Sequence, residues 1–220
     1  MSTKYTSSLV YGFNDEDFVV IGSNTYNYGG NINIINIIKE YKKIQFDNNF
    51  NANIDWIPEG VIELRFGEMF DKSLDTLPSS VKIIIIKKYN EIGFTSFNKS
   101  LDNLPHGLEI LELHYNNKFN QLLNNLPYGL KTLFLNCTKH KCSVNNLPDS
   151  LENIYIKHIN NNIYKLPNNL KKFNRLIYDG FRHNQECIDV YNTFKLLTIQ
   201  YPNIQFMYNN ECAFNINDII

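Results

Sequence analysis

Apolar and polar positions in this chain repeat one line six times between Asn48 and Leu176. Its plainest copy runs Phe119-Asn120-Gln121-Leu122-Leu123-Asn124-Asn125-Leu126-Pro127-Tyr128-Gly129-Leu130-Lys131-Thr132-Leu133-Phe134-Leu135. The pivot is an apolar residue followed by proline: Ile57-Pro58, Leu77-Pro78, Leu104-Pro105, Leu126-Pro127, Leu147-Pro148 and Leu166-Pro167. Successive prolines stand 20, 27, 22, 21 and 19 residues apart. Whole columns travel with them. Three residues after the proline come Val61, Val81, Leu108, Leu130, Leu151 and Leu170, and six after come Leu64, Ile84, Leu111, Leu133, Ile154 and Phe173. Eight after, Phe66, Ile86, Leu113, Leu135 and Ile156 agree, and Arg175 departs. Four before the proline, Ile54, Leu74, Leu101, Leu123, Val144 and Ile163 are all apolar. Eight before stand Phe50, Phe70, Phe97, Phe119 and Ile159, each followed by Asn or Asp; the fifth copy has His140-Lys141 instead. A unit this short buries its apolar side only by stacking on its neighbours, so the pattern predicts a solenoid.

Local chemistry assigns each column a task. Proline lacks a backbone N–H and has a fixed φ, so it ends one segment and opens a bend. Two residues on, Gly60, Ser80, Gly107, Gly129, Ser150 and Asn169 are all turn formers. The last three positions of the following apolar-x-x-apolar-x-apolar run alternate with the period of a strand. Each repeat therefore supplies one short strand, and stacking sets the strands parallel. The Asn column is expected to bond its own backbone or to tolerate positive φ in a tightly wound coil. The second interval is long, which predicts a surface loop from Lys87 to Ser96.

The flanks read as caps. Residues 1–47 contain a strand pattern at Phe18-Val19-Val20-Ile21. A short helix is predicted over Asn33 to Lys43, with Ile34, Ile37, Ile38 and Tyr41 on one face, and Ile44-Gln45-Phe46 copies the strand columns as a half-repeat. Residues 48–176 hold the six repeats. In residues 177–220, Cys187, Val190, Tyr191 and Phe194 recur at helical spacing between Gln185 and Gln200. Tyr201-Pro202 stops that helix, and Ile204 to Tyr208 alternates as a closing strand.

The line F-N-x-x-[LIV]-x-x-L-P-x-[GS]-[LV]-x-x-[LI]-x-[LI] resembles the FNIP repeat, a leucine-rich-repeat relative of social amoebae and of giant DNA viruses of amoebae. The likeness covers roughly three fifths of the chain. Leu108 to Asn116 also matches the leucine-rich-repeat core L-x-x-L-x-L-x-x-N. The resemblance implies a leucine-rich-repeat-like parallel β-solenoid with helix-plus-strand caps, and a module that binds protein. Some relatives carry an F-box ahead of the repeats, which docks onto a ubiquitin ligase. No Leu-Pro-x-Glu-type opening of that kind precedes Asn48.

Composition narrows the function further. A net charge of −1 lacks the clustered Lys and Arg that phosphate backbones require, so nucleic acid is not the expected partner. Met1 to Tyr11 shows no secretory pattern, and no window reaches the roughly 18 apolar residues of a membrane span. A cytoplasmic protein with reduced thiols is expected. Cys137 to Cys142, with His140 between them, lacks the second ligand pair of a structural zinc site. Cys187-Ile188-Asp189 matches a Cys-x-Asp element of certain bacterial ubiquitin ligases, but their large helical domain has no room here. Cys187 falls on an apolar helix face, where an inert thiol is the ordinary outcome. The five histidines form no catalytic spacing, and there is no phosphate loop. No cofactor, metal or catalytic residue is predicted.

The outward strand positions are the informative ones. They run Glu63, Arg65; Ile83, Ile85, Lys87; Ile110, Glu112, His114; Thr132, Phe134, Asn136; and Asn153, Tyr155, Lys157. With strands about 4.8 Å apart they form a ribbon of about 30 Å, on which Ile83, Ile85, Ile110, Phe134 and Tyr155 make an apolar and aromatic stripe. Together with Arg65, Glu112 and His114, that stripe is the expected protein-binding face. Two other expectations belong to different classes: a ubiquitin-ligase adaptor with a disguised F-box, and a self-associating structural protein. A monomer is the expected state.

Overall fold

The computed structural model describes residues 10–13, 18–22, 41–88, 93–137, 143–157, 163–176, 185–208 and 211–212. One sheet of eleven strands runs through them, and its spatial order is the sequence order. The strands are β1 (Val10–Phe13), β2 (Val19–Ile21), β3 (Lys43–Phe46), β4 (Glu63–Phe66), β5 (Ile83–Ile86), β6 (Ile110–Asn116), β7 (Thr132–Cys137), β8 (Asn153–Ile156), β9 (Lys172–Arg175), β10 (Gln205–Tyr208) and β11 (Glu211–Cys212). The nine from β2 to β10 are parallel, and β1 and β11 close the two ends antiparallel. This is a leucine-rich-repeat-like β-solenoid of about six turns.

Strands β4 to β9 each begin five residues after their proline, and the geometry of the bend explains why. The carbonyl of the proline accepts the backbone N–H three residues on, in Val81, Leu108, Leu130, Leu151 and Leu170. That turn delivers the chain to its strand in the same register each time. The central inward column does not drift: Ile44, Leu64, Ile84, Leu111, Leu133, Ile154 and Phe173 pair in line and all are buried. The sixth copy keeps this register despite Arg175, which pairs with Ile156 and is itself buried.

The small-residue column follows from close approach between turns. A Cβ at Gly129 would lie 2.9 Å from the carbonyl oxygen of His106 in the turn before it. Where serine takes the place of glycine, its hydroxyl donates to that neighbouring backbone: Ser80 to Val61 O at 2.8 Å and Ser150 to Leu130 O at 2.7 Å.

The phenylalanine column forms a spine. Phe50, Phe70, Phe97 and Phe119 stack at centroid spacings of 6.2, 6.1 and 6.3 Å, and all four are fully buried. The Asn column behaves differently from the expectation. Each carboxamide or carboxylate accepts the N–H of the same position one repeat later: Asn51 from Asp71, Asp71 from Asn98, and Asn98 from Asn120. It is a ladder between turns, because the stacked backbone lies nearer than the residue's own. Positive φ is not its device, as Tyr115 is the one described non-glycine residue with positive φ.

Asn116 fills the leucine-rich-repeat asparagine position. It is fully buried, its Oδ1 accepts from Lys118 and Phe119 N–H at 2.8 Å each, and its Nδ2 donates to Phe97 O at 2.7 Å. The long second interval returns beside it. Thr95 bridges to Asn116 and donates its N–H to Tyr115 O at 3.0 Å, while Ser96 N–H reaches Glu68 O. Residues 89–92 of that excursion lie outside the described residues.

At the C-terminal side, helix α1 (Gln185–Gln200) lays Phe194 against Phe173 and Phe206, each 5.3 Å away, with Leu197 and Thr198 also buried. The helix predicted over Asn33 to Lys43 falls on undescribed residues up to position 40. At its far end it fails, since Lys43 opens β3 and is claimed by pairing with Glu63. No helix among the described residues is long and apolar enough to cross a membrane.

Candidate functional site

Strand alternation turns every second side chain of β2 to β10 away from the core, and parallel register aligns them in rows. One row runs Lys43, Glu63, Ile83, Ile110, Thr132, Asn153 and Lys172. The next runs Gln45, Arg65, Ile85, Glu112, Phe134, Tyr155 and Asn174. A bulge between Leu113 and Asn116 carries His114 and Tyr115 past β7.

All eight predicted residues stand on this face, but they are not one stripe. Ile83 and Ile110 share the first row, whereas Ile85, Phe134 and Tyr155 lie in the second with Glu112 set between them. None of the five apolar members is fully exposed; neighbours on adjacent strands leave each half-buried. Sequence spacing shows which way a side chain points, and strand-to-strand register decides which side chains touch.

Aromatic contacts organise the second row. The Phe134 ring stacks on the His114 imidazole at 4.1 Å and 22°, and sits 5.7 Å from Tyr155. Lys172 Nζ lies 5.2 Å over the Tyr155 ring. His114 Nε2 meets Glu112 Oε2 at 2.7 Å, so imidazole, carboxylate and ring form one local group. Near the other end, Arg65 Nε donates to Glu63 Oε1 at 2.7 Å, and its guanidinium lies 4.1 Å over the buried ring of Phe18. Phe18 reads in the sequence only as a strand residue; its role as a platform for Arg65 requires the β2–β3–β4 pairing.

Past Phe134 on β7, Asn136 is buried with its Oδ1 unpaired among the described residues. Cys137 faces the core, and burial pushes its thiol up to about 12, which removes it as a nucleophile or ready metal ligand. Cys142 and His140 lie outside the described residues, as do the side chains of Cys187 and Asp189. No cluster of metal-binding side chains occurs among the described residues.

A concave feature lies on the turn side. A groove of about 690 Å³ touches four successive repeats, lined by Asn124, Asn125, Tyr128, Asn145, Asn146 and Asp149 among others. Its polar groups are largely spent on one another: Asn125 donates to Asp102, Asn146 to Asn124, and Asn145 Oδ1 accepts from Tyr164 and Lys165 N–H. Outside the groove, alternating charges bind the turns together, with Glu109 held by Lys82 at 3.0 Å and by Lys131 at 2.6 Å, and Glu152 by Lys171 at 2.6 Å. These groups belong to the stacking rather than to a site.

Comparison with known proteins bears on the repeat and the fold. Residues 50–89, which hold the first two repeats, match the model of the FNIP repeat. Among solved structures, the crystal structure of CroV588, a circular leucine-rich-repeat protein, superposes with a TM-score of 0.52 at 22% identity. The match covers 74% of this chain and 25% of CroV588, so the chain spans about a quarter of that protein's length. The likeness shows the fold. No curated protein sequence matches the chain significantly.

Proposed function

Since this chain is an FNIP-repeat protein wound as a leucine-rich-repeat-like solenoid, we propose that it is a non-catalytic interaction module whose concave strand face binds a protein partner. The repeat family and the fold suggest an interaction module, and the observation that favours this face is its departure from the repeat. Its rows place Ile85, Ile110, Phe134 and Tyr155 half-buried beside the polar side chains of Arg65, Glu112 and His114, where stacking alone would accept almost any side chain. Rigidity is the mechanism. Hydrogen-bonded turns hold these side chains in place before contact, so little ordering entropy is lost on binding.

In this reading residues 1–47 and 177–220 cap the stack, and the monomer works in the cytoplasm. The test is an affinity pull-down from amoebal lysate, run beside a folded variant with Ile85, Ile110, Phe134 and Tyr155 changed to polar residues. A partner lost only with the variant supports the face. Identical returns from both baits would move the binding site elsewhere or favour self-association, which light scattering at micromolar concentration detects. A cullin-type ligase among the captured proteins would favour an adaptor role.

A further inference from the structure

The rings of the outward face differ in what covers them. Phe18 lies under this chain's own Arg65, whose Nε is bonded to Glu63 at 2.7 Å; carboxylate, guanidinium and ring form a complete trio. Lys43 Nζ adds a second cation 5.3 Å from the same ring. Tyr155 has its cation in Lys172. Phe134 has the carboxylate beside it, Glu112 on the paired position of β6, but no cation of this chain over its ring among the described residues. Its neighbour is the planar imidazole of His114, which meets one oxygen of Glu112, and the Glu112 side chain keeps 27% of its surface exposed. Asn136 Oδ1, on the same side of β7, is a further acceptor without a partner among the described residues.

We propose that the Glu112–Phe134 pair receives an arginine side chain from the protein partner, with apolar partner residues beside it over Ile83, Ile85 and Ile110. This rests on the concave-face reading above and names the chemistry of its occupant. A guanidinium is planar, stacks on an aromatic face and donates through a fork to a carboxylate, which is what an aromatic ring next to a half-buried acid accepts. Lysine offers a compact, strongly hydrated charge and fits such a site less well. Bringing an arginine to Glu112 repeats the arrangement that Arg65, Glu63 and Phe18 already make. The lysines bordering the row, Lys87 and Lys157, lie towards the strand ends, so the apolar neighbours of the arginine are directed over the isoleucines.

The experiment is a selection of random twelve-residue displayed peptides on the intact protein. Binders are sorted by whether they survive on the four-residue polar variant and on Glu112→Gln, both checked for native circular dichroism. Face-dependent peptides are expected to share an arginine, and Glu112→Gln is expected to weaken them about tenfold or more, the effect of losing a charged hydrogen bond. Arginine→lysine in a selected peptide should cost part of that affinity, and arginine→citrulline most of it. Face-dependent peptides without a shared arginine, or unaffected by Glu112→Gln, overturn this proposal and leave the concave-face reading intact. A selection yielding no face-dependent peptide overturns both.

Discussion

Leu111 and Glu112 are neighbours in the chain and obey opposite rules. The inward column through Leu111 is Ile44, Leu64, Ile84, Leu133, Ile154 and Phe173, every one buried and aliphatic or aromatic. The outward row through Glu112 is Gln45, Arg65, Ile85, Phe134, Tyr155 and Asn174, with no two alike. Both are set by the same strands at the same spacing. An inward side chain meets its own kind above and below, so one choice satisfies all turns. An outward side chain meets unlike neighbours on the adjacent strands and, over most of the row, solvent, so the repeat does not prescribe its type. The repeated side therefore explains why the chain folds, and the unrepeated side is where a task specific to this protein has room.

That contrast can be broken first at the spine. Phe97→Ala removes a ring stacked between Phe70 and Phe119 at 6.1 and 6.3 Å, and is expected to cost about 3–5 kcal/mol in urea unfolding. Phe134→Ala, a ring of the same size on the outward face, should cost about 1 kcal/mol, for its stacking on His114. Equal losses would mean that the outward rings hold the fold. Between these two losses falls Asn116→Ala. It strands the buried N–H of Phe119 and the carbonyl of Phe97, for an expected loss of roughly 2–3 kcal/mol in the same measurement.

The smallest effect concerns the charged ladder at the turns. Hydrogen bonds and charge from Lys131 and Lys82 hold the Glu109 carboxyl below its ordinary value, and Lys171 does the same for Glu152. The unfolded chain then binds protons before the folded one. The contribution is present above the ordinary carboxylate value of 4.5 and is lost as pH falls through the lower folded value. Lys131 is raised by Glu109, so its share is lost in alkali, as pH rises through the raised folded value. Glu109→Gln should flatten the acid limb of the urea midpoint slightly at low salt and leave the midpoint at pH 7 almost unmoved, because the group is solvent-exposed.

The strands of the six repeats were legible without coordinates because each is announced by a proline five residues ahead. The Asn column was legible as a turn and wrongly assigned its partner, since a carboxamide bonds whatever N–H is nearest and stacking brings the next repeat closest. The helix expected up to Lys43 failed at that end for a similar reason: β-pairing with Glu63 outweighs helical periodicity in a segment that already resembles a strand. The outward-facing residues were legible as a set, because alternation fixes which side of a strand each occupies.

By itself, the order of residues determined the period, the direction and start of β4 to β9, the buried columns and the list of outward side chains. Those follow from turn chemistry and period-two alternation, which are local. Only the stacking decided that Glu112 stands between Ile85 and Phe134, that Arg65 covers Phe18, and that Asn51, Asp71 and Asn98 bind the next turn. These contacts join residues about twenty positions or more apart, and their partners are set by strand register, which no single repeat contains.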